Sequence, residues 1–69
     1  MKLESAKIIK QGTWAKEYTM TDVIVDLCDV QGFNTVFDDD DSVVMQNSEY
    51  YAVLTTRPDG RIDSAYYRR

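Results

Sequence analysis

Tyr50-Tyr51-Ala52-Val53-Leu54-Thr55, then Arg57-Pro58-Asp59-Gly60, then Arg61-Ile62-Asp63-Ser64-Ala65-Tyr66-Tyr67 is the stretch that decides the fold. Tyr50, Ala52 and Leu54 alternate with Tyr51, Val53 and Thr55, the period-two pattern of a strand with one face buried. Pro at the second turn position and Gly at the fourth are the marks of a type I turn. Beyond it, Ile62, Ser64 and Tyr66 alternate with Asp63, Ala65 and Tyr67, so the chain returns as a paired strand. Adjacent tyrosines point to opposite faces of such a hairpin. One of each pair enters the core and its neighbour faces out; Tyr51 and Tyr67, or their neighbours Tyr50 and Tyr66, are the outward pair.

The same period runs backwards from this hairpin. Val43 and Met45 oppose Val44 in a strand over Ser42 to Gln46, and Asn47-Ser48 makes the bend that follows. Phe33, Thr35 and Phe37 alternate with Asn34 and Val36 in another strand. Between these two lie Asp38, Asp39, Asp40 and Asp41, four carboxylates that can neither pack nor pair and so form a turn. Upstream the period changes to 3.6. Val23, Ile24, Leu27, Cys28 and Val30 form one apolar stripe, with Asp22, Asp26 and Asp29 on the opposite face. Thr19 or Thr21 can cap the start, with Thr19-x-x-Asp22 resembling a weakened capping box, and Gly32 suits the left-handed residue that ends a helix. These signals predict a helix from Asp22 to Gln31. Residues 1–16 admit a helix over Glu4 to Gln11 ended by Gly12. Alternatively, Thr13 to Met20 is a strand with Trp14, Tyr18 and Met20 on one side. The expected fold is therefore α+β, one or two helices packed on a four-stranded antiparallel meander, in a single domain over residues 1–69.

Sixty-nine residues support only one small domain with a modest core. The chain has no histidine and one cysteine, so it has no Cys–His or Ser–His pair, no internal disulfide and no cysteine-built zinc site. Gly12, Gly32 and Gly60 are too scattered for a phosphate-binding loop. Cys28, on the apolar stripe, is expected to be a buried, inert thiol. Asp38, Asp40, Ser42 and Glu49 fall at positions 1, 3, 5 and 12 of a calcium-loop count. Val43 occupies the sixth position, where that loop needs glycine, so no metal ligand is assigned and no cofactor is expected. These features indicate a protein that is not an enzyme. No apolar run is long enough for a membrane span, and Met1-Lys2-Leu3-Glu4-Ser5 lacks the apolar stretch of a secretory signal, so a cytoplasmic setting is expected.

Charge is the most informative feature. The net charge of −4 is unevenly spread. Residues 1–16 carry four lysines against one glutamate, and residues 57–69 carry four arginines against two aspartates. Residues 17–56 hold nine acidic side chains and no lysine or arginine. Such a field repels nucleic acid and anionic lipid and attracts a basic protein surface.

Phe37-Asp38-Asp39, Ser42-Val43, Gln46 and Tyr51-Ala52 resemble the acidic hairpin of small phage anti-CRISPR inhibitor proteins. The similarity covers about fifteen of the 69 residues, with a one-residue gap at the aspartates. The long carboxylate-rich helical tail of that relative has no counterpart here. The resemblance implies an acidic, non-catalytic protein that binds a CRISPR effector complex, in some cases on the surface intended for DNA. It carries over Asp38 and Asp39 as candidate contacts. Taken with the charge pattern, it leads to an expected inhibitor of the DNA-mimic kind. Asp22, Asp26, Asp29, Asp38, Asp39, Asp40, Asp41, Tyr51 and Tyr67 would engage a basic surface of a nucleic-acid-processing protein complex, without direct nucleic-acid or membrane contact. The alternative is an assembly module that forms a homodimer through a sheet edge or the tyrosine face.

Overall fold

The terminal hairpin forms as its alternation requires and anchors the rest of the sheet. The computed structural model describes residues 8–69. Its elements in chain order are β1 (Ile8–Thr13), α1 (Met20–Gln31), β2 (Asn34–Asp38), β3 (Ser42–Gln46), β4 (Tyr50–Thr56) and β5 (Ile62–Arg68). All strand pairs are antiparallel and the sheet order is β1-β5-β4-β3-β2. The α+β class and the β2-to-β5 meander are as the sequence predicts, but the sheet has five strands, not four. The added strand is β1, which lies beside β5 with Gln11 opposite Ala65 and Thr13 opposite Asp63.

This placement corrects both readings of the amino-terminal segment. Ile8 to Gln11 is strand, not helix; the first part of the proposed Glu4–Gln11 helix lies outside the described residues. A helix of eight residues is too short to be stable on its own, whereas β5 offers an unpaired edge for β-branched Ile8 and Ile9 to complete. Thr13 to Met20 is not a strand either. Beyond Thr13 only Trp14 continues the pairing, donating its N–H to the Ile62 carbonyl at 2.8 Å. The chain then turns so that Tyr18 N–H reaches the Ala15 carbonyl at 3.1 Å.

α1 starts and stops where its caps dictate. The Thr19 hydroxyl accepts the Asp22 N–H at 3.2 Å, and the Asp22 carboxylate accepts the Thr19 N–H at 3.0 Å. Gly32 ends the helix at φ 69°, a left-handed conformation that disfavours side chains with a Cβ. The helix lies on one face of the sheet. Val23, Leu27 and Phe33 close against Val43, Met45, Ala52, Leu54 and Ile62, with Met20, Ile24, Trp14, Tyr50 and Tyr66 at the margin. The Phe33 and Tyr66 rings meet edge to face at 6.1 Å.

The apolar stripe of α1 is narrower than its sequence suggests. Val23 and Leu27 are fully buried, but Cys28 is exposed and Val30 is 72% exposed. Among the described residues no second helix flanks α1, so side chains that project beside the contact line meet solvent. The expected burial of Cys28 is therefore overturned. β2 also departs from simple alternation. A register shift between Thr35 and Phe37 leaves Val36 and Phe37 about half exposed.

Candidate functional site

The acidic residues occupy two separate places. Asp22, Asp26 and Asp29 recur at i, i+4 and i+7 on α1 and therefore share a face. With Glu17, Tyr18, Val25 and Val30 they line one shallow hollow on the outer side of the helix. Tyr18, Val25 and Val30 are substantially exposed, so the hollow combines carboxylates with an apolar floor. Among the described residues, the ion pairs join Arg57 to Asp59 and Asp63, and Arg61 to Asp59. The carboxylates of residues 17–56 take part in none of them. Glu17, Tyr18 and Val25 were not among the sequence-predicted site residues. Val30 was assigned to the buried stripe, and only the loss of that burial makes it part of the hollow.

The individual aspartates differ in what they do for the fold. Asp22 completes the capping box, so its carboxylate has a structural task at the positive end of the helix dipole. Asp29 stands near the opposite end, where a negative charge opposes the dipole, and no basic residue occupies that last turn. Asp29 thus works against helix stability.

Asp38 ends β2 opposite Val43, so the expected turn is one residue shorter than its four aspartates: Asp39 to Asp41 link β2 and β3 at the end of the sheet that holds the β4–β5 turn. The turn is well tied down: Asp39 N–H donates to the Ser42 carbonyl at 2.8 Å, and Thr56 N–H donates to the Asp41 carbonyl at 3.0 Å. The Asp39 side chain accepts the N–H of the next residue, Asp40, at 2.9 Å. Among the described residues, no group of three or more Asp, Glu, Cys or His side chains is arranged to hold a metal ion.

Tyr51 and Tyr67 lie directly opposite each other on β4 and β5. Tyr50 and Tyr66 pack at the core margin, so alternation directs Tyr51 and Tyr67 to the sheet face away from α1. Both are half-buried, and the Arg69 guanidinium sits 5.5 Å from the Tyr51 ring centre. The predicted site residues therefore divide among the outer face of α1, the β2–β3 turn and the far face of the sheet. The first and third face in opposite directions, so one flat partner surface cannot touch both.

Tyr66 and Asp63 have shifted proton affinities. Burial pushes the Tyr66 phenol above its ordinary range; the nearby Asp26 charge adds to the shift, and hydrogen bonds with Ser64 and Gln31 oppose it. Asp63 is held below its usual value of 3.8, first by the Thr13 hydroxyl, 2.6 Å away, and also by Arg57. Both groups serve the packing of the sheet and neither lies in the acidic hollow. Comparison with protein-family models, curated proteins and solved structures finds no match to this chain.

Proposed function

We propose that this chain is a non-enzymatic binding protein whose α1 face docks on a basic surface of a nucleic-acid-processing protein complex, as a phage-type inhibitor of the anti-CRISPR kind would. The observation that carries this reading is the hollow of Glu17, Asp22, Asp26 and Asp29 around Tyr18, Val25 and Val30. Among the described residues these carboxylates take part in no ion pair, so their field is directed to an incoming Lys or Arg, and a groove built for phosphate already presents such cations. The exposed apolar side chains add contact area at the centre, where binding energy concentrates. Asp38 to Asp41 extend the negative field and steer approach. Tyr51 and Tyr67 act instead as a cross-strand pair that stabilises the sheet.

Asp26 and Asp29 are the residues to change, because replacing Asp22 would also remove a helix cap. The test loads a bacterial lysate on immobilised DNA and elutes it with the purified protein. The parent is expected to release a DNA-binding protein that Asp26→Asn/Asp29→Asn does not release at the same concentration. Release by both alike, or by neither, overturns the proposal.

A further inference from the structure

A hollow of about 310 Å³ opens on the α1 side of the sheet, over β1 and β5. Lys10, Gly12 and Trp14 are alternate residues of one extended run, so they share that face. Lys10 stands opposite Tyr66, Gly12 opposite Ser64, and Trp14 beside Ile62. Alternate residues of a strand lie about 6.7 Å apart, so the gap between Lys10 and Trp14 spans roughly 13 Å. Gly12 puts no side chain into it. Ser64, across from Gly12, is small and only 6% exposed, and it forms the floor.

Gly12 is informative because glycine within a strand costs stability, and its φ is not positive. A Cβ built there meets nothing within 4 Å, so no neighbour among the described residues crowds the position. What the missing side chain preserves is the depth of the hollow. A strand glycine serves in this way where a ligand approaches the backbone closely.

The walls define what fits. Trp14 is fixed by its N–H bond to the Ile62 carbonyl at 2.8 Å and by the Tyr18 ring, edge-on at 5.2 Å. Tyr66 is fixed by its edge-to-face contact with Phe33 at 6.1 Å. Aromatic walls held in advance lose little freedom when a flat ring enters between them. Lys10 is the charged side chain of the lining, and among the described residues it joins no ion pair. Its ammonium lies 5.7 Å from the Tyr66 ring centre and already fills the cation place over that ring. A second cation would be repelled there, whereas an anion is attracted.

We propose that this hollow binds a small aromatic carboxylate, its ring lying on the Gly12 backbone beside Trp14 and its carboxylate on the Lys10 ammonium. Docking through the outer face of α1 plays no part in this inference.

An NMR titration of the isotope-labelled protein with benzoate tests it, read at the Gly12 N–H and the Trp14 indole N–H. Trp14 is the chain's one tryptophan, so its indole signal is unambiguous. Benzoate should shift both signals saturably, with a dissociation constant on the order of 1 mM for its nine or so non-hydrogen atoms. Benzamide has the shape without the charge, and cyclohexanecarboxylate has the charge without the flat ring. Each should bind at least about fivefold more weakly. Gly12→Val fills the hollow with a residue that suits a strand, so it should melt no lower than the parent yet bind benzoate at least about tenfold more weakly. Lys10→Gln should erase the preference for benzoate over benzamide. Shifts that do not saturate, equal binding of the three probes, or a Gly12→Val variant that binds like the parent would each overturn the proposal.

Discussion

Leu27 is fully buried and its neighbour Cys28 is exposed, because one residue step turns a helix by about 100° and takes the side chain off the contact line. Cys28 should therefore react with a maleimide in the folded protein at a rate within about tenfold of that in denaturant. Complete protection until unfolding would contradict its position. Asp63 provides a pH signature at the same scale. Its folded proton affinity is lowered by the Thr13 hydroxyl and Arg57, so the stability it contributes is present above about pH 3.8 and lost as pH falls through the lower folded value. Acid melting curves should show this loss in the parent. Thr13→Val should be less stable at neutral pH and lose less on acidification. Identical acid profiles would remove Thr13 as the cause. Tyr66 has the opposite sense: its raised value means stability falls at alkaline pH, as the phenol ionises.

The elements divide by how local their signals are. α1 was legible because Thr19, Asp22 and Gly32 act on the backbone within a few residues, and each forms the cap its type implies. Thr19→Ala should lower stability by about 1 kcal/mol, measured by urea denaturation; an unchanged midpoint would mean that the capping box contributes nothing. The β4–β5 hairpin was equally legible, since Gly60 takes φ 92° at its turn. β1 was not legible, because its pairing with β5 joins residues about fifty positions apart and no local turn announces it. Its short run, Ile8-Ile9-Lys10-Gln11, satisfies weak helical spacing and strand propensity alike, and only the free edge of β5 decides between them. The burial of α1 failed for a related reason. Periodicity gives the direction of the stripe, whereas its width depends on how many neighbours the helix has.

At the scale of the whole molecule, α1 covers one face of the sheet and leaves its acidic side outward. The candidate site was partly legible: spacing alone grouped Asp22, Asp26 and Asp29. It did not bring in Glu17 and Tyr18, which the turn after β1 delivers to the hollow, and it joined Tyr51 and Tyr67 to a surface they face away from. Asp29 makes the functional reading separable from the structural one. A carboxylate near the negative end of a helix costs about 0.3–1 kcal/mol, so removing it should raise stability. If the charge serves binding, the same change should weaken it, chiefly through slower association and a shallower salt dependence. The most direct measurement compares the parent and Asp26→Asn/Asp29→Asn in releasing a DNA-retained protein at increasing salt, alongside their melting temperatures. Carboxylate docking predicts a double variant that melts no lower than the parent yet needs at least about tenfold more protein for the same release, with the gap closing as salt screens the contact. Equal release by the two proteins across the salt series would contradict it.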